Sequence, residues 1–125
     1  MEISFSSKEL AQIIFSAMNN RDLHDLRHHL AENAVFDFPG VGRIEGRKRI
    51  LTFLKVLFRK YNRLIFTIED IISEGDRVCA IWSNEGEEKK GNSYSNRGIT
   101  LVKLSDGKII FISDYFKDTS FVETS

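Results

Sequence analysis

Asp114 is the residue whose surroundings most demand a chemical explanation. It lies in Lys108-Ile109-Ile110-Phe111-Ile112-Ser113-Asp114-Tyr115-Phe116-Lys117-Asp118. This stretch follows the turn signal Ser105-Asp106-Gly107 and is dense in β-branched and aromatic residues, so it reads as a strand. Alternation puts Ile110, Ile112, Asp114 and Phe116 on one face, and Ile109, Phe111, Ser113 and Tyr115 on the other. A carboxylate on such an apolar face must be paired, protonated or used. Burial would raise its pKa and make it a better base near neutral pH, fit to remove a proton next to a carbonyl. Isomerisation, aldol cyclisation and dehydration would all be served by that step. A structural role also fits, in which Asp114 accepts hydrogen bonds from backbone or from Tyr94 and never meets a ligand.

Other chemistry-bearing residues carry weaker signals. His24 and His28 are four apart, a spacing a metal could use, but no third ligand stands nearby and no metal is assigned. Cys79 sits in the apolar run 78–82 and reads as a core thiol rather than a nucleophile. Arg43, Arg47, Lys48, Arg49, Lys55, Arg59, Lys60 and Arg63 cluster in sequence, a pattern that reads as the wet face of a helix. Lysine plus arginine balances aspartate plus glutamate at 18 each, so the electrostatic footprint of a nucleic-acid binder is missing.

These residues need a scaffold, and the composition supplies one. The 125 residues are 42% hydrophobic and 29% charged, which predicts one globular domain over 1–125 with a sizeable core. The single cysteine excludes an internal disulfide and fits a reducing compartment. Residues 1–4 carry no basic segment leading into an apolar one, and no run approaches the ~20 apolar residues of a membrane span. The expectation is a cytoplasmic protein without membrane contact.

Ser6-x-x-Glu9 is a capping box, with Leu10, Ile13, Ile14, Ala17 and Met18 following at helical spacing as far as Asn19-Asn20-Arg21. Asp22 is placed to cap a short second helix with Leu23, Leu26 and Leu30 inward. Residues 34–38 read as a strand closed by Pro39-Gly40, and Gly40, Gly42 and Gly46 mark a loop. A third helix runs from 47 to about 61 on the stripe Ile50, Leu51, Leu54, Leu57, Phe58 and Tyr61. Strands are expected over 64–72, 77 to about 85, about 93 to 104 and 108–116, with short connections that favour antiparallel hairpins. Helices first and a strand meander after make an α+β layer pattern, with helices on one face of the sheet.

Three passages resemble the nuclear transport factor 2-like superfamily, in particular its SnoaL-like and ketosteroid-isomerase-like members. They are Leu30-Ala31-Glu32-Asn33-Ala34-Val35-Phe36-Asp37-Phe38-Pro39-Gly40, Ile44-Glu45-Gly46-Arg47-Lys48-Arg49-Ile50, and Leu104-Ser105-Asp106-Gly107-Lys108-Ile109 with Asp114-Tyr115-Phe116-x-Asp118. The resemblance implies a cone: a curved, mostly antiparallel sheet with three N-terminal helices packed on its concave face. It implies a cofactor-free isomerase, cyclase or dehydratase with Asp114 as acid or base, acting on a small lipophilic carbonyl compound. A non-catalytic ligand-binding or assembly domain of the same fold is the other reading.

The same resemblance turns toward the cone the face of Ala80, Trp82 and Asn84 and that of Tyr94, Asn96, Gly98 and Thr100. Tyr94 and Asn96 would then offer a phenol and an amide to a carbonyl or hydroxyl, and Trp82, Phe36 and Phe38 would offer flat apolar walls. Trp82, Phe36 and Phe38 could equally be plain core, and Gly98 a bulge. Phe36 and Phe38 stand where the family's epoxide hydrolases hold water with a tyrosine and an asparagine, which argues against that reaction. Ile109, Phe111 and Tyr115, with Ile99 and Leu101, would leave an apolar patch on the outer sheet face, so a homodimer is expected.

Overall fold

The computed structural model describes residues 5–120. Residues 1–4, read above for a leader signal, lie outside them. Helix α1, Ser7–Asn20, begins on the expected capping box: Ser6 Oγ accepts from the Glu9 amide at 3.1 Å, and Glu9 Oε1 from the Ser6 amide at 2.9 Å. It ends where Arg21 turns left-handed, with φ 54°. Helix α2, His24–His29, is a short turn whose N-cap position falls to Leu23. Asp22 does not cap it from that position; its carboxylate accepts from the His24 amide at 3.0 Å across a tight turn.

Strand β1, Leu30–Phe38, starts earlier than the sequence suggests because Leu30 already pairs with Ile109. The glycine-marked loop is in part a strand: β2, Gly42–Glu45, pairs antiparallel with β1, Phe36 opposite Ile44. Helix α3, Arg47–Lys60, follows from Gly46, whose φ of 97° is natural only for glycine. The meander then runs through β3 (Tyr61–Glu74), β4 (Arg77–Glu88), β5 (Ser93–Ser105) and β6 (Lys108–Phe116). The β5–β6 turn places both Asp106 (φ 51°) and Gly107 (φ 73°) at positive φ, as a two-residue type I′ turn requires.

The sheet order is β2-β1-β6-β5-β4-β3, antiparallel throughout except where β1 runs parallel to β6. It is a mixed, curved sheet covered on its concave face by three helices, an α+β architecture. Even-numbered residues of β4 and β5, from Val78 to Asn84 and from Asn96 to Leu104, turn inward and are buried. The core forms between this face and Leu10, Ile14, Phe15, Ile50 and Leu54 of the helices.

One irregularity revises the strand that carries Asp114. Lys103 pairs with Phe111 and Leu104 with Ile109, so Ile110 is an extra residue in a bulge. The bulge resets the alternation. Ile109, expected on the outer face, is fully buried in the core with Ile112, while Ile110 is only half-buried. Cys79 is likewise not core: it lies on the outward side of β4, half-buried. No described helix is long and apolar enough to cross a membrane.

Candidate functional site

The register of three strands sets the site. Thr100 on β5 lies directly opposite Asp114 on β6 and opposite Ala80 on β4. Thr100 Oγ1 donates to Asp114 Oδ1 at 2.6 Å, and Trp82 Nε1 donates to Thr100 Oγ1 at 2.8 Å. Burial pushes the Asp114 carboxyl from its ordinary 3.8 up to about 7, and the Thr100 bond offsets part of that rise. At neutral pH the group is therefore divided between acid and base, the condition general acid–base catalysis favours.

Asp114 faces a cavity of about 80 Å³ between the sheet and helices α1 and α3. Its walls are aromatic: Phe36 and Phe38 from β1, Phe66 from β3 and Phe116 from β6, with Met18 and Leu57 from the helices. The rings meet edge to face, Phe38 on Phe53 at 4.9 Å and on Phe116 at 5.5 Å. Lys60, Tyr61, Asn84 and Tyr94 also line it. Tyr61 and Tyr94 rings lie 5.2 Å apart, and burial with the neighbouring Tyr94 raises the Tyr61 phenol well above its ordinary pKa.

Of the seven residues singled out in the sequence, the structure brings Asp114, Phe36, Phe38, Asn84 and Tyr94 to this cavity. Trp82 is not a wall. It is 1% exposed and stands behind Phe66 and Phe116, with ring centroids at 5.1 and 5.3 Å, touching the site through Thr100. Asn96 does not line the cavity either. Its amide spans the chain beyond β6, donating to the Asp118 carbonyl at 2.9 Å and to Tyr94 Oη at 3.2 Å, while its oxygen accepts from the Asp118 and Arg97 amides. Asn84 Oδ1 is buried without a hydrogen-bond partner.

Gly98 is not a bulge. It pairs in register with Trp82 and Phe116, and a Cβ there would lie 2.7 Å from the Trp82 ring and collide with the Tyr115 carbonyl. The sequence reading missed Thr100 as the carboxyl's partner, although alternation had put it on the right face. Met18 stood on the apolar stripe of the first helix without being read as a cavity wall, and Phe53, which packs behind Phe38, was not singled out. Among the described residues no group of three or more His, Cys, Asp or Glu could hold a metal ion, and the His24 and His28 rings simply stack edge to face at 5.3 Å.

A family model described as the SnoaL-like domain matches residues 11–112. No curated protein matches the sequence. Among solved structures, an NTF2-like protein of unknown function from Cytophaga hutchinsonii is 22% identical with a TM-score of 0.77, over 99% of this chain and 100% of that one. TerC co-crystallized with polyporic acid is 18% identical with a TM-score of 0.82, over 94% and 98%. A protein of ketosteroid isomerase-like fold from Catenulispora acidiphila, in complex with trimethylamine, is 18% identical with a TM-score of 0.79, over 88% and 86%. At these identities the likeness is one of fold.

Proposed function

The chain belongs to the SnoaL-like domain family, and from that premise we propose that it binds a small lipophilic carbonyl compound above Thr100 and Asp114 and transforms it without a cofactor. The observation that carries this reading is a carboxyl poised at about 7 on the wall of an otherwise aromatic cavity. The carboxylate removes a proton from the carbon next to the carbonyl. Hydrogen-bond donors on the same cavity, the Tyr94 hydroxyl or the Asn84 amide, steady the enolate oxygen. Return of the proton to another carbon gives isomerisation; attack of the enolate on a second carbonyl, whose oxygen takes the proton back from Asp114, gives cyclisation; and departure of a β-hydroxyl as water with that same proton gives dehydration.

The cavity of about 80 Å³ is small beside the roughly 300–1,000 Å³ of typical ligand sites, so the occupant is a compact ring system or Met18 and Leu57 swing aside to admit a larger one. The fold-level neighbour crystallised with polyporic acid supports a ring-bearing occupant. The test is a screen of cyclic ketones and hydroxy ketones for turnover, repeated with Asp114→Asn. A fall in turnover of about 10²–10⁴-fold is expected. Unchanged turnover in the variant would remove Asp114 from the chemistry.

One observation favours the non-catalytic alternative. Phe36 and Phe38 occupy the first strand with no polar group to assist the carboxyl. Tight binding of the same ketones with no turnover in wild type would decide for it. We further propose a homodimer formed through the outer face of β4, β5 and β6, where Ile99 and Tyr115 stand exposed.

A further inference from the structure

We propose that Trp82 and Thr100 form a one-way hydrogen-bond relay that reserves Oδ1 of Asp114 as a permanent acceptor and leaves Oδ2 as the oxygen that exchanges the proton. This deepens the reading of Asp114 as the acid or base of the cavity and rests on it for its catalytic meaning. The argument is one of proton counting. An indole N–H can only donate, so at 2.8 Å it must be received by the Thr100 hydroxyl oxygen. A hydroxyl carries one proton, and with Trp82 seated on its oxygen that proton is directed at Asp114 Oδ1, 2.6 Å away. Were Oδ1 itself protonated, the Thr100 oxygen would have to accept that proton as well as the indole's, and its own hydrogen would give up the acceptor it has at 2.6 Å. Protonation therefore falls on Oδ2 in the neutral acid, and Oδ2 is the oxygen from which the proton leaves and to which it returns.

The relay is built tightly enough to hold this direction. Trp82 and Thr100 are each 1% exposed, so bulk solvent has little access to either partner. Gly98 supplies the floor on which the indole lies, since any Cβ there would intrude to 2.7 Å of the ring. The elements packed around the carboxyl bring few other charges. Helix α1 contributes Ile14, Phe15 and Met18; β1 contributes Phe36 and Phe38; and the titratable groups lining the cavity besides Asp114 are Lys60, Tyr61 and Tyr94. Thr100 and Trp82 are positioning residues: neither reacts, and both act through the carboxyl.

Trp82 is the only tryptophan of the chain, so its emission reports the relay without any substrate. Wild-type emission is followed from pH 5 to 9 beside the Asp114 carboxyl carbon resonance in aspartate-labelled protein. Both signals are expected to titrate together near 7. Asp114→Asn should flatten the emission curve. Thr100→Val, which keeps shape and loses the donor, should raise the carboxyl midpoint by about one pH unit, and Thr100→Ser should restore it. A Thr100→Val midpoint equal to wild type would overturn the relay. So would an emission change that survives in Asp114→Asn, a comparison that stands even if Thr100→Val fails to fold. Because no substrate enters, a titration that behaves as expected in a protein without turnover would sink the enzymatic reading alone.

Discussion

At the scale of the single residue, the consequences of burying Asp114 can be followed into stability. The carboxyl titrates at about 7 when folded and near 3.8 when exposed. Between those values the native state holds a proton that the unfolded chain has released, so stability falls as pH rises from about 4 to 7 and levels off above. The span amounts to a few kcal/mol. His29, lowered by burial and by Lys108, gives a slope of the opposite sign. The difference between wild type and Asp114→Asn is therefore the clean readout. Denaturant midpoints should show the variant more stable than wild type at pH 8, with the advantage shrinking toward pH 5. A variant less stable than wild type at pH 8 would mean that the carboxylate is holding structure together.

Gly98 makes a second prediction at this scale. Gly98→Ala must push the indole of Trp82 off the Thr100 hydroxyl, because the Tyr115 carbonyl blocks the other side. A cost of about 1–3 kcal/mol from overpacking is expected, together with a shift in tryptophan emission. An unshifted spectrum would show that the ring had room to spare. Asp114 itself was legible from alternation alone. Its partner was not, because the pairing of Thr100 with Asp114 depends on a cross-strand register that the sequence does not state.

At the scale of elements, local rules predicted what local chemistry decides. The capping box at Ser6 and Glu9, the left-handed stop at Arg21 and the Asp106-Gly107 turn all stand where residue type put them. What escaped was settled by pairing between distant segments. β2 is too short and polar to show a pattern, and exists because β1 offers it an edge. The Ile110 bulge is invisible in a run of apolar residues and yet moves Ile109 from the outer face to the core.

Asn19 shows the same limit. It reads as a helix stop, but its side chain donates to the Phe66 carbonyl at 2.9 Å and accepts from the Phe66 amide at 2.7 Å. It thus caps the free edge of β3 as a neighbouring strand would. Next to it, Arg21 donates to the Phe58 and Tyr61 carbonyls, closing the end of α3. Asn19→Ala removes two hydrogen bonds to partly buried backbone and should cost about 2 kcal/mol by chemical denaturation. It should also speed hydrogen exchange at the Phe66 amide. Loss below about 0.5 kcal/mol would mean that water replaces the amide without penalty.

At the scale of the whole molecule, the same sheet that shelters the cavity on one side presents a second surface on the other. Ile65, Ile99 and Tyr115 are 39%, 40% and 60% exposed, and half-buried Ile81 pairs with Ile99 beside them. Toward β1 the face is screened, because Phe111 is covered by Arg43 at 5.6 Å and Lys103 at 5.0 Å. The apolar centre therefore falls on Ile81, Ile99 and Tyr115, rimmed by Glu69 on one side and by Arg97 and Lys117 on the other. In the proposed homodimer, a two-fold axis through that centre would set the acid of one copy against the bases of its partner, which suits a self-complementary contact. Light scattering at micromolar concentration should give twice the chain mass for wild type. Ile99→Glu, which would bury a charge in the apolar centre of the proposed contact, should give the single-chain mass while leaving the far-ultraviolet circular dichroism of the fold unchanged. A wild-type mass of one chain, or a dimer that survives Ile99→Glu, would place the contact elsewhere or nowhere.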